Sequence, residues 1–380
     1  MQSLIVTGEK VLTADGWQHD QGILVEHGRI TRLVAHDHSA ASRDDFPGCM
    51  LVPGFVDVQV NGGGGVLFNN DITADAIAAI GAAHARFGTT SFLPTLISDT
   101  ETALHAALDA AARALSEKSP GCVGLHLEGP FLNAEKRGVH NASYFRAIDK
   151  ETIQRLTSWN DGPLLMTVAP EVLGIETIRQ LSEGGVILSA GHTAASYDDT
   201  KKALRHGIKG FTHLFNAMPP LQSRNPGPVT AALESEAWCG IIADGHHVAP
   251  SMLRLALRAK TDGRIMLVSD AMAVAASSLS RFDLNGAEIT VENGRCVDRH
   301  GTLAGASITL IDAVRYCMQE LGVPLEEALR MASAEPASFL GKSGDLGHIA
   351  PSYRANFAVI SPHLEVIASF IDGAKVYQKD

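Results

Sequence analysis

The sequence predicts an α/β chain: a (β/α)₈ barrel carrying a small β-sandwich domain built from both chain termini. Three observations lead there. Eight apolar runs of strand length alternate with stretches of helical spacing through the middle of the chain, and short strands broken by turns occupy both ends. With 45% hydrophobic and 19% charged residues in 380, the chain also has enough apolar material for one barrel-sized unit and a smaller one. A doubly wound open sheet is the alternative arrangement of the same alternation.

Over residues 4–34, short apolar runs are interrupted by Gly8-Glu9-Lys10 and His27-Gly28-Arg29, the texture of hairpin-linked strands. Residues 354–360 and 365–371, with the turn Asp372-Gly373, repeat it. The small β unit is therefore expected at 1–50 and 349–380, around a barrel at 51–348. The barrel runs are 55–60, 90–93, 123–127, 164–168, 186–188, 210–212, 239–242 and 265–268. Between them lie helical patterns such as Leu104, Leu108, Ala111 and Leu115. After the eighth run, Asn285-Gly286, Asn293-Gly294 and His300-Gly301 mark a β insertion near 280–305. A helix follows, with Ile308, Ile311, Val314 and Met318 on one face and Gly322 and Pro324 at its end.

Lys and Arg number 31 against 42 Asp and Glu, a net charge of −11 that argues against nucleic acid or an anionic membrane surface as partner. An anionic small ligand would need a local device to hold it. The five cysteines are odd in number and contain no C-x-x-C pair, which speaks against a disulfide framework or thiolate zinc site and for a reducing cytoplasm. Met1 is not followed by a basic, apolar leader, and no run reaches the roughly 18–20 apolar residues of a membrane span. A soluble cytoplasmic chain is expected.

In such a barrel the chemistry gathers where strands end at their C-terminal face. The residues found there are Gln59, Asn61, Pro94, Glu128, Pro170, His192, His213, the segment 244–247 and Asp270. Glu128, His192 and His213 each close an apolar run, where an unpaired polar group is expensive to bury. Two imidazoles and a carboxylate form a three-ligand set that leaves the fourth position of a tetrahedral zinc open. A single histidine there would read as a satisfied core residue. Asp270, in Val268-Ser269-Asp270-Ala271, reads equally as a helix N-cap or as a proton carrier beside a metal.

The ordered motifs 53–62 (PGFVDVQVNG), 126–131 (HLEGPF), 138–141 (GVHN), 191–193 (GHT), 212–218 (THLFNAM), 242–247 (IADGHH) and 268–271 (VSDA) span almost the whole chain. Together they resemble the N-acetylglucosamine-6-phosphate deacetylases of the amidohydrolase superfamily, whose fold is a metal-dependent-hydrolase barrel with a β-sandwich. The resemblance implies that Glu128, His192 and His213 hold one divalent metal ion per subunit, zinc, and that Asp270 is the general base that becomes the acid for the leaving amine. His140 would polarise the acetamide carbonyl. Val139, Asn216, Ala217, Arg224 and His247 would hold the sugar phosphate, and Leu303, Ala304 and Gly305 would line it. A homodimer is also implied, which leaves open whether Arg224 and His247 serve their own subunit's site or a neighbour's. By position alone, His140 and Arg224 are loop residues that ordinarily face water. Asp-Gly-x-His spacing favours His247 over His246.

One departure matters. Many amidohydrolases carry His-x-His after the first strand, where this chain has Gln59 and Asn61. Neutral amides are poorer zinc ligands, so one metal per chain is expected, with Gln59 a neighbour or weak ligand. Competing readings are a deacetylase of N-acetylgalactosamine 6-phosphate, a hydrolase of another amide such as a cyclic ureide, and a non-catalytic scaffold. An uncharged ring has no use for Arg224, Asn216 and His247, and a scaffold has none for Glu128, His192, His213 and Asp270 together.

Overall fold

The computed structural model describes residues 3–39, 42–260 and 263–379. Its central sheet contains β1 (Phe55–Val60), β2 (Thr89–Ile97), β3 (Leu125–Glu128), β4 (Leu164–Val168), β5 (Ile187–Ala190), β6 (Ile208–Phe211), β7 (Trp238–Ile241) and β8 (Ile265–Leu267). Each strand pairs in parallel with the next in the chain. Among the described residues there is no reversal of strand order of the kind a doubly wound sheet requires. Beyond the strand ends, Val60 bridges Ala271 in parallel, and the N–H groups of Asn61 and Gly62 both donate to the Ala271 carbonyl at 2.9 Å, which brings the first and last strands together. The sequence-predicted barrel is thus the observed fold, nearly closed.

Strands buried on both faces must be almost continuously apolar, and that is what made these runs legible. The pleat sends Leu125, Leu127, Leu164, Met166, Val168, Leu188 and Ala190 outward against the helices. It sends Val58, Leu165, Ile187 and Met266 into the barrel. Above them the interior is polar. His126 shares a hydrogen bond with Thr167 Oγ1 (2.8 Å), Thr167 pairs with Thr212 (2.7 Å), and Thr212 donates to Ser189 Oγ (2.8 Å). This satisfied layer is the floor of the site.

The residues at both ends form one continuous eight-stranded mixed sheet. Strand Leu4–Thr13 pairs in parallel with Ser42–Pro53, which pairs antiparallel with Phe357–Ile360. The sheet folds over a shared apolar cluster that includes Val6, Ile23, Leu51, Phe357 and Phe370. Its distant turns meet where a Cβ on Gly373 would lie 3.4 Å from Gly28 Cα. Asn356 anchors this unit to the barrel by donating to Thr90 O (3.3 Å) and Ser91 Oγ (3.2 Å).

The helix Glu101–Ser116 buries Leu104, Leu108 and Ala111 and is capped by Thr100 Oγ1, which accepts from Ala103 N–H. Helix Leu310–Leu321 begins later than its pattern predicts. Thr309 and Asp312 form a capping box that leaves Ile308 outside the helix, and Gly322 ends it at φ 71°. The three turn signals after β8 join Arg281–Leu284, Ala287–Glu292, Arg295–Val297 and Leu303–Ala306 into an antiparallel sheet over the barrel mouth. Among the described residues, no helix is long and apolar enough to cross a membrane.

Candidate active site

Glu128 is the last residue of β3, and His192 and His213 lie two residues beyond β5 and β6. Asp270 lies three beyond β8. His192 (φ 47°), His213 (φ 33°) and Asp270 (φ 49°) all have left-handed backbones. For non-glycine residues such conformations cost on the order of 1–3 kcal/mol each and persist only where the surroundings over-determine them. Here they turn each side chain back over the barrel.

The result is a tight triangle. Glu128 Oε1 lies 3.0 Å from His213 Nε2 and 3.2 Å from His192 Nε2, and the two nitrogens are 3.1 Å apart. A tetrahedral ion with bonds of about 2.0–2.1 Å separates its ligands by roughly 3.3 Å, so the three atoms fit a shared cation with little movement. The His192 ring supplies a second argument. Its Nδ1 faces Lys136 O at 2.8 Å, and a carbonyl can only accept, so the neutral ring carries its proton there and presents an Nε2 lone pair to the triangle. His213 Nδ1 has no partner among the described residues, which leaves Glu128 to orient that ring.

Burial opposes charge on Glu128, but the bonds to His192 and His213 outweigh it and hold its pKa well below the usual carboxylate range. His213 is the converse: burial disfavours its cation, yet the Glu128 carboxylate raises its pKa. Glu128, His140 and His192 also offer ligand atoms within 4.8 Å of one another. The triangle through His213 is tighter, and His140 is otherwise engaged. Its Nδ1 accepts the Ser98 backbone N–H (3.4 Å) and lies 2.8 Å from Ser98 Oγ, so its remaining proton is on Nε2. Burial, reinforced by His192, pushes the His140 pKa down to about 3, keeping the ring neutral.

Asp270 Oδ1 accepts from Asn61 Nδ2 (2.7 Å) and Gln59 Nε2 (3.2 Å). Gln59 Nε2 also donates to Glu128 Oε1 at 3.1 Å, so the amide turns its donor side to both carboxylates. Burial first, then the Glu128 charge, raises the Asp270 pKa to about 6.

Glu128, His140, His192, His213, Asp270 and Asn61 open into a cavity of about 490 Å³, which Gln59 does not line. Val139, Asn216, Ala217, His247, Leu303 and Gly305 line it with them. His247 Nδ1 is 2.6 Å from Asp244 Oδ2, while His246 is exposed and outside the cavity. Two expected substrate contacts are placed elsewhere in this chain. Ala304, between Leu303 and Gly305 on a pleated strand, points the opposite way into an apolar cluster with Met272 and Cys296. Arg224 is exposed and does not line the cavity.

Ser98 carries no signal in the sequence, because Pro94 breaks the second apolar run after residue 93 and takes the rim position there. Strand β2 continues to Ile97 and the ladder is irregular at Pro94, which pairs with Val60; Thr95 Oγ1 accepts the Val60 N–H at 2.9 Å. Lys136, Met272, Arg295 and Thr302 also line the cavity, and nothing in the local pattern marks them.

The model of the Amidohydrolase family matches residues 50–376. N-acetylgalactosamine-6-phosphate deacetylase of Shewanella sp. (strain ANA-3) is 38% identical over 382 residues, covering 99% of this chain and 97% of that protein. N-acetylglucosamine-6-phosphate deacetylase of Haemophilus influenzae is 36% identical, covering 87% of each. The solved structure of N-acetylglucosamine-6-phosphate deacetylase from Pasteurella multocida superposes with a TM-score of 0.95 at 33% identity, covering 99% of this chain and all of that one. With its barrel, its rim chemistry and these matches, the chain belongs to the amidohydrolase family.

Proposed function

We propose that this chain hydrolyses the acetamide of N-acetyl-D-glucosamine 6-phosphate to D-glucosamine 6-phosphate and acetate. The observation that carries the reading is the triangle of Glu128, His192 and His213 at the floor of a cavity that also holds Asp270 and a neutral His140. Those three side chains would hold one divalent ion, zinc, which when bound supplies Lewis acidity and lowers the pKa of a water toward about 7. Asp270, raised by burial and steered by Asn61 and Gln59, takes the proton of the attacking water and returns it to the amide nitrogen as the C–N bond breaks. His140 donates its Nε2 proton as a hydrogen bond to the developing oxyanion, in the orientation that Ser98 sets.

Asn216, Ala217 and His247 are the candidates for the phosphate end, and they lie within the chain's own cavity. Arg224 does not, which favours the homodimer in which it reaches a neighbour's site. A cytoplasmic location and a division into residues 51–348 and a terminal β unit complete the reading. Hydrolysis of N-acetyl-D-galactosamine 6-phosphate is a second reading, favoured by the relative of that name at 38% identity. Acetate release measured side by side from both 6-phosphates and their unphosphorylated parents tests both. The expected result is turnover of the phosphorylated gluco sugar and little of the parents. Equal turnover with and without phosphate removes the phosphate assignment, and a preference for the galacto sugar replaces the first reading by the second.

A further inference from the structure

Glu171 follows β4 in the first turn of the short helix Pro170–Leu173, and no Lys, Arg or His within 4 Å pairs with it among the described residues. Its carboxylate is used for something else. Oε1 accepts from Asn133 Nδ2 (2.9 Å) and from the Ala194 backbone N–H (2.7 Å), and Oε2 accepts from Thr193 Oγ1 (2.6 Å). One side chain thus joins the loop after β3 to the two residues that follow His192.

The same loop holds His192 from its other sides. The Asn133 N–H donates to the His192 carbonyl at 3.0 Å, and the Lys136 carbonyl receives the His192 Nδ1 proton at 2.8 Å. Lys136 N–H in turn donates to Asn133 O at 2.9 Å, so Asn133 and Lys136 move as one turn. His192 sits at φ 47°, in the left-handed region that is uncommon for residues other than glycine. Its carbonyl and its ring Nδ1 are both held by loop 133–136, and Glu171 ties that loop to residues 193–194.

We propose that Glu171 is a positioning residue for the metal site: it fastens loop 133–136 to residues 193–194 and so fixes the His192 imidazole in ligand geometry. Hydrogen bonds accepted by a carboxylate are stronger than neutral ones, and loss of a group bonded directly to a metal-bound histidine typically costs about 10–100-fold in affinity, so a clamp one step further out is expected at the low end of that range. The proposal rests on reading Glu128, His192 and His213 as the metal holders.

The test is the zinc dissociation constant of the whole chain, measured by competition with a chromophoric chelator, for the parent, Glu171→Ala and Glu171→Gln. Glu171→Ala is expected to bind zinc about 10-fold more weakly, with faster amide exchange over 133–140. Glu171→Gln is expected to stay within about threefold of the parent, because its carbonyl can keep Asn133 and Ala194 and its NH₂ can donate to the Thr193 hydroxyl. Asn133→Ala cuts one of the bonds from the other side, together with the Oδ1 cap on the Glu135 N–H (2.9 Å), and should weaken zinc at least a few-fold, which serves if Glu171→Ala fails to fold. Parent-like zinc affinity in Glu171→Ala, or in Asn133→Ala where that variant stands in, overturns the proposal, as does equal weakening in Glu171→Gln and Glu171→Ala. A parent that binds no zinc overturns the metal reading itself. A parent that binds tightly alongside an equally tight Glu171→Ala removes only the clamp.

Discussion

Asp270→Asn removes proton transfer while leaving the hydrogen bonds that place the side chain. The asparagine keeps an oxygen for Asn61 Nδ2 and Gln59 Nε2, so the side chain stays where Asp270 Oδ1 is held at 2.7 and 3.2 Å. It cannot take or return a proton. Loss of one general acid/base lowers turnover on the order of 10²–10⁴-fold, about 3–5 kcal/mol of transition-state stabilisation. The charge change gives a second, independent signal. Burial and Glu128 raise the Asp270 pKa from 3.8 to about 6, so in the metal-free protein this group favours folding at low pH, and that contribution is lost as pH rises from about 4 to about 6. Removing the charge should therefore make the metal-free variant up to about 3 kcal/mol more stable than the parent at pH 7 and no more stable at pH 4. The buried His140 and His126, lowered to about 3 and about 4, titrate with the opposite sign in both proteins, and the difference between the two melts cancels them. Steady-state acetate release, metal content and urea melts at the two pH values are the assays. Turnover within 10-fold of the parent, at unchanged metal content, refutes Asp270 as the proton carrier.

Other substitutions probe the remaining parts. His140→Ala should lower turnover about 10²–10³-fold with little change in zinc affinity, as expected of an oxyanion donor; loss of metal instead would make it a ligand. The acid limb of kcat/KM should fall below pH 6, since a bound cation favours the Asp270 carboxylate, and a limb above pH 7 contradicts this. His213→Ala, which removes one corner of the triangle, should abolish stoichiometric zinc in dialysed protein, and retention of one ion per chain refutes the assigned set. Arg224→Ala should raise KM for phosphorylated substrate while sedimentation shows a dimer; an unchanged KM removes Arg224 from binding.

The barrel was readable because each strand buries both faces and so is written as an apolar run, and because a charged or imidazole residue at the end of such a run has few structural excuses. Glu128, His192, His213 and Asp270 were visible for that reason, with the resemblance supplying their roles. What stayed hidden depends on contacts distant in sequence. His140 lies in an aperiodic loop and looks solvated, yet it is buried against His192, with ring centroids 4.4 Å apart. Ser98 was masked by Pro94, which interrupts the strand pattern without ending the strand. Ala304 belongs to a segment whose pleat lets only alternate residues face the cavity. The accepting carbonyl of Lys136 has no side-chain signature at all.

The most direct measurement is a zinc titration of metal-depleted protein in which acetate release from N-acetyl-D-glucosamine 6-phosphate is followed at each addition. Activity should rise from near zero in proportion to zinc and break at about one equivalent per chain, the single open-sided three-ligand site that Glu128, His192 and His213 provide. A break at two equivalents, or full activity before any zinc is added, contradicts it.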